Sequence, residues 1–381
     1  MSKRKQTKDE DRPKQLEKTQ KYLSLAFQNV PEGVSLPDIL QQIRGVDVCS
    51  AERHGQVVVV SFFSYFDAFK AYKATREGVS VAKHTFTPEL IKTSINDEER
   101  EKLYLSNGAG GTRNVMLGNL EDYMTADFLK EEAEKYGSIE TFKHFKERRL
   151  AYVEFFSYIS AIKFVSTIRE DSLFQSVKAS FGKDKCGPPE GEESSLHNSR
   201  TVYLGNLTTD TTASDIFTVL QGGKIFSVKM IKEKKCAFVS FFDYVAAAAF
   251  IEYANTFPIM LQGMHLKVGP GKIQPLPASA PVLAWTGATR LLSIGLDRSV
   301  SEGQLLDELE KHGEIEKTVY TKDESSVIVG YTTVIDAYSA HMAFATDPLL
   351  SGCLNGYAED PCASTTTLSL IMQVQKRTGS G

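Results

Sequence analysis

The chain has 381 residues, 41% of them hydrophobic and 24% charged, with a formal net charge of -4. Such a length suggests two to four domains of ordinary size, and such a composition allows buried cores rather than disorder. The negative balance argues against coating nucleic acid by charge alone, while leaving room for local basic faces.

Five cysteines, at 49, 186, 236, 353 and 362, are odd in number, widely spaced and without a CxxC pair. That argues against a disulfide framework or structural zinc and for reduced thiols in the cytosol or nucleus. No apolar run is long enough to span a membrane, and the charged start lacks the core of a signal peptide.

In chain order, residues 1–21 hold eight Lys/Arg and four Asp/Glu and read as a disordered basic tail. Lys3-Arg4-Lys5 is short for a nuclear signal, and a solvated tail is the plainer reading. A first unit, 22–92, opens with Leu25-Ala26-Phe27-Gln28-Asn29-Val30 and has a β-branched run from Val57 to Phe63. Residues 93–113, ending Gly108-Ala109-Gly110-Gly111, read as a flexible linker. The second unit, 114–183, opens with Val115-Met116-Leu117-Gly118-Asn119-Leu120. A helix near Thr125–Tyr136 stops at Gly137, and a strand runs through Leu150-Ala151-Tyr152-Val153-Glu154-Phe155. After a linker at 184–199, the third unit, 200–272, opens with Val202-Tyr203-Leu204-Gly205-Asn206-Leu207. Its later strand is Cys236-Ala237-Phe238-Val239-Ser240-Phe241. A proline-bearing linker, 273–288, contains Trp285. The fourth unit, 290–376, opens at Leu291, has a strand at Val327–Tyr331, and is expected to close with a strand near Leu368–Val374.

The opening hexamers begin at 25, 115, 202 and 291, and each unit repeats one aromatic-to-alanine segment: Phe62 to Ala68, Phe155 to Ala161, Phe241 to Ala247, Tyr331 to Ala337. A fixed period of this length indicates four copies of a small α+β domain rather than a solenoid. The element order, β-α-β-β-α-β, is the ferredoxin-like one, with both helices on one face of an antiparallel sheet and the other face open. Alternation along the third unit's strands sends Val202, Leu204, Ala237, Val239 and Phe241 to the helices and Tyr203, Cys236, Phe238 and Ser240 outward. Aromatic side chains on an open face call for a partner, and unpaired bases offer flat faces to stack on, at about 1–3 kcal/mol per base. Lys229, Lys232, Lys234 and Lys267 lie at strand ends or on that face, where phosphates would run. Residues 200–272 carry eight Lys/Arg against five Asp/Glu.

The second unit offers Tyr152, with Met116 and Leu150 at the companion positions, and a basic edge of Lys143, Arg148, Arg149 and Lys178. Met116 can lie flat on a base or serve as ordinary strand packing. In the first unit Ala26, Val57 and Val59 take these positions, which suits a protein surface better than bases. In the fourth, Leu292, Ser326 and Ile328 take them, and residues 290–348 hold five Lys/Arg against eleven Asp/Glu, a balance that repels phosphate. Trp285 is read as a packing anchor for that unit, with base stacking as the other option.

The hexamer Val202-Tyr203-Leu204-Gly205-Asn206-Leu207 and octamer Lys234-Lys235-Cys236-Ala237-Phe238-Val239-Ser240-Phe241 resemble the two signatures of the RNA recognition motif (RRM) family. With Gly222-Gly223-Lys224-Ile225, the alanine-rich helix at 246–249 and Val268-Gly269-Pro270-Gly271-Lys272, the chain further resembles fungal four-RRM mRNA-binding proteins of the negative-regulator-of-differentiation type. That family often has tryptophan where Pro270 stands. The resemblance implies single-stranded RNA as partner, a role in post-transcriptional control of mRNA, and a cytoplasmic or messenger-particle setting. Within this reading the RNA contacts fall on Tyr203, Phe238, Cys236, Lys229, Lys232, Lys234 and Lys267, and on Met116, Leu150, Tyr152, Lys143, Arg148 and Lys178. Protein partners are left to the first and fourth units.

Catalytic constellations are missing from the sequence: no GxxxxGK[ST], HExxH or GxSxG, and seven scattered histidines. No enzyme, cofactor or metal is expected. The rival class is a scaffold whose four sheets all bind protein; the Tyr203/Phe238 pair and the local basic surplus separate the two readings.

Overall fold

A computed structural model describes residues 23–81, 83–92, 95–187, 199–272, 274–296, 300–322 and 325–378. The basic tail expected at 1–21 lies outside these residues. The chain forms two compact units, 1–192 and 193–381.

In the first unit the elements are β1 (Ser24–Phe27), α1 (Leu36–Leu40), β2 (Val48–His54), β3 (Val57–Phe62), α2 (Tyr65–Thr75), the hairpin β4 (Val79–Val81) and β5 (His84–Phe86), and β6 (Pro88–Ile91). They continue with α3 (Asp97–Gly108), β7 (Asn114–Gly118), α4 (Ala126–Glu134), β8 (Ile139–Phe145), β9 (Leu150–Phe155), α5 (Tyr158–Glu170) and β10 (Lys178–Phe181). The second unit has β11 (Thr201–Gly205), α6 (Ala213–Val219), β12 (Ile225–Ile231), β13 (Cys236–Phe241), α7 (Tyr244–Thr256), the hairpin β14 (Met260–Leu261) and β15 (Met264–His265), and β16 (Lys267–Pro270). After these come α8 (Ala280–Trp285), β17 (Leu291–Gly295), α9 (Glu302–Glu310), β18 (Ile315–Tyr320), β19 (Ser326–Tyr331), α10 (Val334–Ala343), β20 (Asn355–Tyr357) and α11 (Thr367–Thr378).

Four antiparallel four-stranded sheets result, in the orders β2-β3-β1-β6, β8-β9-β7-β10, β12-β13-β11-β16 and β18-β19-β17-β20. Each is the expected β-α-β-β-α-β repeat. Alternation builds the cores: Val202, Leu204, Ala237, Val239 and Phe241 are all fully buried beneath α6 and α7. Local signals set the helix starts. Ser64, Thr125, Asp243 and Thr333 each accept a backbone N–H three residues on, and Thr212 with Asp215 forms a reciprocal capping box.

Several expectations change. Within the linker expected at 93–113, the described residues 95–113 carry a helix: Asn96 caps α3, Asp97, Glu98 and Glu99 favour its N-terminus, and Leu103 and Leu105 are buried. Its charges fill the first turns and its apolar residues come late, so the segment looks polar throughout. The proline-bearing segment likewise folds into α8, with Ala280 to Ala284 buried and Trp285 half-buried at its end. Finally, residues 368–374 are helix rather than strand. Leu370 and Val374, four apart, are the buried positions of α11, which packs on α7, and β20 supplies the fourth strand instead. Gly222 permits this docking: it has φ +97, and a Cβ there would stand 2.3 Å from Leu370 Cδ1.

Within each unit the two repeats are joined by the same device. Arg113, just before β7, is fully buried; its Nε lies 2.7 Å from Asp184 Oδ2, its Nη2 2.9 Å from Asp184 Oδ1, and its Nη1 3.1 Å from Glu140. Arg290, just before β17, makes the matching bidentate pair with Asp360 at 2.9 and 3.1 Å and also binds Glu316. Each aspartate also accepts the N–H of a following cysteine, Cys186 at 2.8 Å and Cys362 at 3.1 Å. Those cysteines enter the core of the preceding repeat, Cys186 against Leu40 O and Cys362 against Phe217 O, both at 3.6 Å. The sheet edges of each pair also meet in matching antiparallel bridges, through Ala51 N to Phe156 O and Val228 N to Thr332 O, both 2.9 Å. The stretch 184–199 is expected as a linker; Asp184 to Cys186 belong instead to this plug, and 188–198 lie outside the described residues.

Candidate nucleic-acid interface

On the third repeat's open face, strand register sets the side chains in rows. Gly269, Tyr203, Phe238 and Lys229 form one row across β16, β11, β13 and β12, and Lys267, Gly205, Cys236 and Ile231 form the next. Tyr203 and Phe238 are half-buried, with ring centroids 5.7 Å apart at 60°. They touch without stacking on one another. The Tyr203 ring runs along its own strand over Gly205; a Cβ on Gly205 would lie 2.6 Å from the Tyr203 hydroxyl. Lys229 and Lys267 are exposed at opposite sides of the aromatic pair. Lys232 and Lys234 are exposed in the 3-10 turn Lys232–Lys234, which Lys235 closes in the left-handed conformation, φ 49. All six of these expected residues therefore share the face or its rim.

Cys236 does not present itself to solvent. It keeps the outward parity of its strand yet is only 4% exposed. Its register partner is Gly205, over which the Tyr203 ring lies, so that ring covers the small thiol.

The second repeat has the corresponding rows Ser180, Met116, Tyr152, Lys143 and Lys178, Gly118, Leu150, Phe145. Met116, Leu150 and Tyr152 are half-buried, while Lys143 and Lys178 are exposed. Arg148 is exposed in the 3-10 turn Lys146–Arg148, and Arg149 closes it at φ 52. The two basic turns thus share a backbone as well as a Lys-Glu-Arg/Lys-Arg/Lys sequence. In the third row Glu154 is buried and held by Lys185 Nζ at 2.6 Å and Thr141 Oγ1 at 3.1 Å, which neutralises an acid on this face. Sequence reasoning missed Phe145, 41% exposed on the same face with its ring 6.1 Å from Tyr152. Its alternation with Lys143 and Thr141 along β8 is the signal that places it there.

The outer faces differ. In the first repeat Ala26 and Val59 lie between exposed Glu89 and Glu52, with no aromatic in the row. In the fourth the row is Gly356, Ser293, Ile328 and Val319. Here the structure corrects the hexamer alignment by one residue: Ser293, not Leu292, is the counterpart of Tyr203, and Leu292 is fully buried in the core. Such a slip exchanges the two faces of a strand. Among the described residues no three His, Cys, Asp or Glu side chains are grouped to hold a metal, and no helix is long and apolar enough to cross a membrane.

The model of the RNA recognition motif family matches residues 115–177 and 202–264, the second and third repeats. The chain is 29% identical over 377 residues to the Meiotically up-regulated gene 24 protein of Schizosaccharomyces pombe, an alignment covering 90% of this chain and 56% of that protein. It is 24% identical over 318 residues to RNA-binding protein MRN1 of Saccharomyces cerevisiae, covering 67% of this chain and 52% of that one. The chain thus spans about half the length of these curated relatives. Among solved structures, a Sxl-lethal protein/RNA complex aligns at 20% identity and a TM-score of 0.22, over 42% of this chain and 99% of that one. The second and third repeats thus match the RNA recognition motif, and the one topology of all four sheets gives the chain the tandem α+β fold of that motif.

Proposed function

We propose that the chain binds single-stranded RNA through the open sheet faces of its second and third repeats, and that it acts on mRNA after transcription. One observation carries this reading: Tyr203 and Phe238 lie side by side on central strands, unstacked on each other, with Lys229 in register on one side and Lys267 on the other. Flat aromatic faces take bases of any sequence, and the flanking ammonium groups take the phosphates. The name of the relative MRN1, an RNA-binding protein, agrees with it.

The first and fourth repeats brace the central ones through the buried Arg113 and Arg290 clusters and offer their own faces to protein. Glu89 beside Ala26 and Glu52 beside Val59, and the aliphatic row of Ile328 and Val319, disfavour phosphate and bases alike.

The test is binding of the full chain to fluorescently labelled single-stranded RNA. Tyr203→Ala/Phe238→Ala should weaken affinity at least about tenfold with little change in melting temperature. Unchanged affinity and unchanged crosslinking would overturn the reading and leave the scaffold alternative.

A further inference from the structure

We propose that Phe145 is an additional stacking platform of the second repeat, taking an unpaired RNA base on the β8 side of its sheet; this rests on reading that sheet as an RNA surface. Four observations converge on it. Phe145 is 41% exposed, although it sits in register with Leu150 on a sheet rather than at a loop tip. A phenyl ring left in water there is costly unless something covers it. Its ring meets Tyr152 at 6.1 Å and 85°, an edge-on arrangement, so the two rings do not stack flat on each other. Lys143, on the same face and in register with Tyr152, lies two residues before it, and exposed Lys146 and Arg148 follow in the turn. A base on Phe145 would therefore have cations for its phosphates on both sides.

Comparison of the two central faces explains what Phe145 replaces. In the third repeat the aromatic pair occupies β11 and β13, and the position matching Phe145 is Ile231. In the second repeat the β7 position is Met116, and the second ring has moved to β8. The pair is displaced by one strand in each sheet order, from β11/β13 to β9/β8. The second repeat would then read its bases closer to the basic Lys146–Arg148 turn, and the third closer to Lys267.

The experiment uses the full chain carrying Tyr203→Ala/Phe238→Ala, so that the third repeat does not mask the second. The probe is a random-sequence 20-nucleotide single-stranded RNA containing 4-thiouridine. In this background Phe145→Leu, which keeps an apolar side chain at an exposed site, should lower affinity about fivefold or more, and Phe145→Trp should retain it. The slope of log affinity against log salt should stay the same, because no phosphate contact is removed. Photocrosslinks should map to a peptide containing Phe145. If Phe145→Leu binds as its parent does while Tyr152→Ala weakens binding, the Phe145 platform is wrong and the sheet reading stands. If neither change weakens binding, the sheet reading of the second repeat falls with it.

Discussion

Tyr203 keeps its ring on the open face because Gly205, two residues along the strand, has no side chain to displace it. The same economy hides Cys236, which is the one expected contact residue in the third repeat that the folded sheet covers. Position and parity are readable in the sequence for the other residues expected there, since alternation alone decides which way Phe238 and Lys229 point. What alternation does not reveal is how far a neighbouring ring reaches, and that is what buries the thiol. Lys229 and Lys267 allow a test at this scale. Each ammonium that contacts a phosphate releases a counterion, worth about 0.7 in the salt slope for a single strand. Lys229→Gln/Lys267→Gln should therefore flatten the slope of log affinity against log salt by about 1.4 and leave the melting temperature near that of the parent. A slope that does not change would remove both lysines from the interface.

Elements were legible where a strong local rule governed them and illegible where packing did. The four β-α-β-β-α-β repeats followed from hexamers and alternation. The α3 helix did not, because its early turns are charged and its buried Leu103 and Leu105 come at the end. The α11 helix reads as a strand because Leu368 and Leu370 alternate, whereas the buried positions are Leu370 and Val374, four apart on α11, which packs against α7. The fourth hexamer slipped by one because Leu291 and Leu292 are both apolar, so hydropathy alone does not fix which of them begins the pattern. The α7 helix carries a pH prediction. Its N-cap, Asp243, accepts Ala246 N–H at 2.8 Å and is 4% exposed. Burial raises its pKa above the ordinary carboxylate value, while the backbone bonds and Arg200 offset only part of that. The folded state therefore holds this proton more tightly than the unfolded state, and Asp243 contributes less stability as pH rises through the window between the two values. Asn at this position still caps the helix but does not titrate. Relative to the parent, Asp243→Asn should gain melting temperature as pH rises above the ordinary carboxylate value of about 4. A difference that stays constant with pH would show that Asp243 is not the titrating group.

At the scale of the whole molecule, the repeat is better described as a pair used twice. Thr112-Arg113 precedes β7 and Thr289-Arg290 precedes β17; Asp184-Lys185-Cys186 follows β10 and Asp360-Pro361-Cys362 follows β20. These motifs recur at twice the single-repeat spacing, so a search for the shorter period passes over them. Their geometry explains their recurrence. A buried guanidinium is tolerable only with its charge met, and the bidentate aspartate and the glutamate meet it in both units. Burial opposes the charge on Arg113, yet Asp184 outweighs it and the guanidinium is held more firmly protonated than usual. Removing one partner leaves buried acids unmatched, a loss of about 3–5 kcal/mol. The cysteines report on this. Burial first, and then the neighbouring aspartate, pushes each thiol up to about 12, so neither Cys186 nor Cys362 is reactive near neutral pH while its pair is closed. Arg113 favours the Cys186 thiolate, so its loss by itself would make that thiol less reactive; faster alkylation can come only from opening of the pair. Pulsed maleimide labelling of the native full chain, followed by peptide mapping, should therefore show Arg113→Ala exposing Cys186 while Cys362 stays protected, and Arg290→Ala doing the reverse. Labelling of both cysteines in either variant would mean that the clusters are not separate locks. Labelling of neither would mean that Arg113 and Arg290 do not hold the pairs closed.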